Sequence, residues 1–149
     1  MVFCNPYEIA HDSTLTVEGC SLFHFGLLAS AMFLAWAGAV SGRIKSDFRM
    51  SVETVYNTFP WPDEPVASKR TTIEDTAQSI LDTIDGYAPQ TLATLYDPIS
   101  MPPELTTPRR ALDRAVDSLF SRKKLKSDAD RLAILFERYQ TLAPLTLLS

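Results

Sequence analysis

Residues 22–40 form a run of nineteen positions without a single Asp, Glu, Lys or Arg, whereas the second half of the chain mixes apolar and polar positions with a helical period. In the run, bulky Phe23, Leu27, Leu34 and Trp36 are interleaved with small Gly26, Ala29, Ser30, Ala31, Ala35, Ala37, Gly38 and Ala39. A helix apolar on every side is predicted, with Ser21 as its cap and Gly38 and Gly42 as stop signals. Its length reaches the lower end of a membrane span, and small residues also line membrane-helix interfaces, so the residues alone leave that reading open. A fully buried core helix suits the interleaving better.

Before this run, Ile9, Leu15 and Val17 fit short strands around an Asp12-Ser13 turn. After it, Phe48, Met50, Val52, Val55 and Tyr56 alternate loosely, which predicts a short strand or an extended, wedged loop. Pro60-Trp61-Pro62 forces extended backbone and Pro65 continues the break, placing a boundary near residues 62–68. Thr71-Thr72-Ile73-Glu74 reads as a capping box, followed by a stripe of Ile73, Ala77, Ile80, Leu81 and Ile84 that ends at Gly86. Thr91 to Tyr96 reads as one short turn with Leu92 and Leu95 inward. Thr107-Pro108 reads as a cap with proline at the first helical position, ahead of Leu112, Ala115, Val116, Leu119 and Phe120. Ser127-Asp128-Ala129-Asp130 caps a last helix striped by Leu132, Ile134, Leu135, Phe136, Tyr139 and Leu142 and ended by Pro144. The expected fold is mainly α: a buried apolar helix with a short extended or β segment, then a small bundle of about three helices. The expected division is 1–62 and 66–149.

The 149 residues, 46% hydrophobic, are enough for one ordinary domain with a real core. Net charge is −4, which argues against a dedicated nucleic-acid binder, but the average hides an asymmetry. Seven of the 14 Lys and Arg lie between Arg109 and Lys126, against two acids, Asp113 and Asp117. Arg109, Arg110, Arg114, Arg122, Lys123 and Lys124 suit a phosphate backbone or, in the plainer reading, a solvated face. Arg43, Lys45 and Arg49, beside Tyr56 and Asn57, suit phosphates or base edges; the plainer reading is a turn paired internally through Asp47. Phe59 and Trp61 are too apolar for a free linker and read best as a clasp between the two halves, with base stacking as the lesser reading. No secretory signal precedes Cys4 and Cys20, so two free thiols in a cytoplasmic protein are expected. His11 and His24 make no metal set with them. Asn5-Pro6-Tyr7 lacks one proline of the Asn-Pro-Pro-Tyr loop that amino-methyltransferases place around a flipped base, and no glycine-rich turn accompanies it; it reads as a coincidental loop. No catalytic set of residues is legible.

Several segments together resemble a known family. Phe25-Gly26-Leu27-Leu28-Ala29-Ser30, Ala35-Trp36, Gly42-Arg43-Ile44-Lys45-Ser46-Asp47-Phe48-Arg49-Met50-Ser51 and Tyr56-Asn57-Thr58-Phe59-Pro60-Trp61-Pro62 resemble the end of the target-recognition region of MmeI-like enzymes. These are large DNA adenine methyltransferases, often fused to a restriction nuclease as in type IIG restriction–modification enzymes. Residues 92–105, 111–117 and 128–139 resemble the helical domain that closes them. The resemblance implies a non-catalytic C-terminal portion that contacts double-stranded DNA and packs on an upstream methyltransferase domain. It implies S-adenosylmethionine for the parent and no cofactor for this piece. It leaves no role for a membrane. An exposed face of residues 22–40, stripped of its parent, is itself an expected surface for self-association. A structural or interaction module without DNA contact of its own is the alternative.

Overall fold

A computed structural model describes residues 16–41, 43–44, 47–48, 51–97, 99 and 101–146; for 43–44, 47–48 and 143–146 it describes the backbone alone. The elements in order are α1 (Leu22–Ala29), α2 (Ala31–Val40), β1 (Arg43–Ile44), β2 (Asp47–Phe48), a π-helical turn (Val52–Tyr56), α3 (Ala67–Gly86), α4 (Leu92–Leu95), α5 (Pro103–Phe120) and α6 (Asp128–Thr146). The fold is mainly helical. β1 and β2 form a minimal antiparallel hairpin, with Arg43 opposite Phe48 and Ile44 opposite Asp47.

The apolar run is not one helix. It breaks at Ser30 into α1 and α2, bent by 56°. Ser30 is fully buried and extended (φ −78°, ψ 156°), and it serves both helices at once. Its Oγ donates to the Leu27 carbonyl at 2.7 Å and accepts from the Phe33 N–H at 3.4 Å. The next orphan donor, Ala31 N–H, is taken by Asp113 Oδ1 of α5 at 2.7 Å. Sequence periodicity missed the break because the capping carboxylate comes from far along the chain. No single described helix is long and apolar enough to cross a membrane; the bent pair passes by length and composition only. In this fold the pair is packed inside, with Phe23, Phe25, Leu27, Leu28, Met32, Phe33, Trp36 and Ala37 all buried.

Other boundaries also shift. Residues 52–56, expected to be extended, wind into the π-helical turn, capped by Ser51 Oγ accepting from the Thr54 N–H. α3 starts at Ala67, directly after Pro65-Val66, so Thr71 and Glu74 lie inside it and make no capping box. α5 starts at Pro103 with Pro102 before it, and Pro108 sits within the helix rather than at its start. α6 continues past Pro144 to Thr146. The expected caps at Ser21 and Ser127 do form. Ser21 Oγ accepts from the His24 N–H. Ser127 Oγ accepts from the Asp130 N–H, and Asp130 Oδ2 accepts from the Ser127 N–H in return.

One core runs through both halves. α1 packs on α3 and α5, while α2 packs on α6 and on the π-helical turn. Phe23, Leu27, Phe33 and Trp36 share a cluster with Ile73, Ile80, Leu95, Leu105, Leu112, Val116 and Leu135. Each such side chain contributes about 2–3 kcal/mol of apolar burial.

Candidate nucleic-acid interface

The β1–β2 hairpin carries Arg43 opposite Phe48, next to the basic positions 45 and 49. The side chains of Arg43, Lys45 and Arg49 lie outside the described residues, as do Asn5-Pro6-Tyr7, Cys4 and His11. What the structure does describe is the elements that precede and follow the hairpin in the chain. On one side β1 follows α2. On the other, the π-helical turn is pinned through Thr58, whose Oγ1 donates to the Thr54 carbonyl at 2.7 Å and accepts from Trp36 Nε1 at 3.3 Å. Trp36 is itself buried and flanked by Phe136 and Tyr139 of α6, at 5.3 and 5.6 Å between ring centroids.

The Tyr56-to-Pro62 segment is the clasp its composition suggests. Phe59 is buried and meets Phe33 of α2 at 5.2 Å, Phe120 of α5 at 6.1 Å and Trp61 at 5.0 Å, all edge to face. Tyr56, half-buried, stacks edge-on to Trp61 at 5.1 Å. Asn57 is exposed at the end of the turn. Arg138 of α6 locks the strap from outside: Nε donates to the Trp61 carbonyl at 2.9 Å and the guanidinium pairs with Asp63 at 2.8 Å. That pairing holds the Asp63 carboxyl below its ordinary range.

The basic segment 109–126 divides in two. Arg109 is used within the fold: its guanidinium lies 4.8 Å from the Tyr96 ring centroid and reaches Met101 Sδ at 3.9 Å. Arg110, Arg114, Arg122, Lys123 and Lys124 are exposed. The acids between them face inward. Asp117, 7% exposed, takes a two-pronged pair from Arg131 at 2.9 and 2.8 Å. Asp113 caps α2, and its burial raises the carboxyl above the usual value while the Ala31 N–H and Arg131 pull it down. Sequence reading missed Ser30, Asp113, Arg131 and Arg138 as organising residues. The four-residue spacing of Asp113 and Asp117 on one helix face was the available signal. Cys20 is a free, half-buried thiol, raised by that burial. Among the described residues no group of His, Cys, Asp and Glu is placed to hold a metal ion.

Fold and site therefore define a class: a helical scaffold with an internally capped, broken apolar helix, followed in the chain by a short hairpin in a basic stretch. Comparison with known proteins makes it particular. Residues 1–63 match the family described as "MmeI, target recognition domain", and residues 66–147 match "MmeI, C-terminal domain". The chain belongs to the MmeI family. It is 38% identical over 124 residues to "DNA methyltransferase A" of Bacillus subtilis (strain 168), a match covering 83% of this chain and 14% of that protein. It is also similar to the solved type IIL restriction–modification enzyme MmeI in complex with DNA, with a TM-score of 0.80 and 40% identity over 85% of this chain and 17% of that one. The chain thus spans about a sixth or less of the length of these relatives.

Proposed function

We propose that this chain supplies the end of a target-recognition region and the closing helical domain of an MmeI-like DNA methyltransferase or restriction–modification enzyme, and that its hairpin contacts duplex DNA. The observation that carries this is the match of residues 1–63 to a target-recognition domain, joined to likeness with an enzyme solved on DNA. Arg43, Lys45 and Arg49 neutralise backbone phosphates, which fixes register on the duplex without reading sequence. Tyr56 and Asn57 support the hairpin from the π-helical turn. S-adenosylmethionine binding and base methylation belong to the family's methyltransferase domain, which is this chain's protein partner, and the cytoplasm is where the assembly meets DNA.

A scaffolding role runs beside the contact, because the continuous core joins α2, the helix just before the hairpin, to α6 through Trp36. The test is a titration of the chain into labelled duplex DNA at two salt concentrations, repeated with Arg43→Ala/Lys45→Ala/Arg49→Ala. Weaker binding and a flatter salt dependence in the triple variant support the contact. Unchanged binding in that variant removes the hairpin from the interface and leaves scaffolding alone.

A further inference from the structure

We propose a second DNA contact, resting on the reading above: a phosphate-tracking ridge along the outer face of α5 and the loop after it, made by Arg110, Arg114, Arg122, Lys123 and Lys124. The fold sorts the cations of the helical domain, Lys126 apart, into two groups. Arg70 is held by Glu64 and Glu74 and lies over the Phe23 ring. Lys69 donates to the Ser118 carbonyl, Arg109 stacks on Tyr96, Arg131 is forked onto Asp117, and Arg138 is locked to Trp61 and Asp63. The five ridge residues are all exposed, and among the described residues their side chains form no ion pair and no hydrogen bond.

The acids that would neutralise them are engaged elsewhere. Asp113 caps α2, Asp117 and Asp128 hold Arg131, and Asp130 accepts the Lys126 and Ser127 N–H groups. A chain of net charge −4 therefore keeps a local strip of uncompensated positive charge. Cations beyond the end of a helix also answer its dipole, which accounts for Arg122 and Lys123 but not for Arg110 and Arg114 in mid-helix.

Arg110 and Arg114 are one turn apart on the narrow exposed stripe of α5. From Arg110 to the end of α5 at Phe120 the axis advances about 15 Å, and the exposed loop that follows carries Arg122, Lys123 and Lys124. One DNA strand presents a phosphate roughly every 3.4 Å along its axis, so this length passes about four of them. Point charges and guanidinium groups on phosphates give affinity and register, not sequence choice.

The test compares three forms of the 149-residue chain on labelled duplex DNA across a salt series: wild type, the hairpin triple variant, and Arg110→Gln/Arg114→Gln/Arg122→Gln/Lys123→Gln/Lys124→Gln. Circular dichroism confirms that each is folded, and Arg110→Glu/Arg114→Glu serves if the fivefold variant is not. The ridge variant is expected to bind at least tenfold more weakly at low salt, with the log–log salt slope flattened by about 2–4, near 0.9 per lost phosphate contact. Wild-type affinity and slope in the ridge variant, with a weakened hairpin variant, overturn the ridge and leave the hairpin reading standing. A weakened ridge variant beside an unchanged hairpin variant supports the ridge and overturns the hairpin contact. Failure of the wild-type chain to bind at low salt overturns both.

Discussion

α3 and α6 flank the broken helix from opposite ends and hold it by different physics. α3 meets α1 and α5 with Ile73, Ala77 and Ile80, all buried, and the approach is close enough that a Cβ on Gly26 would stand 2.6 Å from Ile73 Cγ2 and 3.2 Å from Leu112 Cδ1. α6 buries only Leu135 among its described side chains, and Phe136 and Tyr139 remain 42% and 38% exposed while touching Trp36. What holds α6 is directional: the Arg131–Asp117 fork, the Arg138 lock and the aromatic pair. Close packing of volumes gives α1 no room to adjust, whereas ties of charge and ring contact let α6 be released piecemeal.

The largest expected effect tests the α6 side. Arg131→Ala leaves Asp117 buried without its partner and should cost about 3–5 kcal/mol in urea unfolding. Hydrogen exchange should show residues 128–142 losing protection before α1, α3 and α5. Uniform loss across all helices would mean that α6 is not separately held. On the other side, Gly26→Val drives a β-branched side chain into Ile73 and should cost about 2–3 kcal/mol, lowering protection everywhere at once. A neutral result there would show that the α1–α3 seam has slack. Arg138→Ala should cost about 1 kcal/mol through the lost bond to the Trp61 carbonyl, with the Asp63 pairing adding little because Asp63 is exposed. The readout is tryptophan fluorescence, from Trp36 and Trp61 together, with Tm.

The smallest effect is a pH dependence. Burial raises the Asp113 carboxyl above its ordinary 3.8, so the folded state holds that proton more tightly than the unfolded chain. Its contribution to stability is therefore present at low pH and falls as pH rises from 3.8 through the raised value. Asp113→Asn keeps an oxygen for the Ala31 N–H and removes the ionisation. Its Tm should gain on the wild type across that window and hold level above it. Parallel curves would mean that the Asp113 charge is fully compensated in place.

The helical domain was legible in the stripes of α3 and α5 but not in that of α6, where Phe136, Tyr139 and Leu142 are exposed and only Leu135 is buried. Ile73, Ala77 and Ile80, and Leu112 with Val116, are buried as their spacing implied, because helical period reports directly on which face meets a core. The Phe59–Trp61 clasp was legible from composition. Ser30 was not, since a serine within an apolar run looks like one more small residue until a carboxylate 82 positions beyond Ala31 is seen to cap the second helix. Likewise Thr71-to-Glu74 and Thr107-Pro108 offered good local capping signals that lost to Pro65 and Pro102, which set the true starts earlier. At the candidate interface, residue types pointed to the whole run from Arg109 to Lys124. Only the packing of Tyr96 and Met101 separates Arg109 from the rest.

The shared core sets where this family's parts can be recombined. The target-recognition match ends at residue 63 and the C-terminal match begins at 66, yet Phe59 already touches Phe120 and Ser30 shares its helix break with Asp113. A chimaera joined at that seam would set one parent's Phe33, Phe59 and Ser30 against another parent's α5 and α6. The natural crossover for exchanging recognition segments therefore lies upstream of α1, so that the broken helix, the clasp and the closing helices travel as one inherited piece.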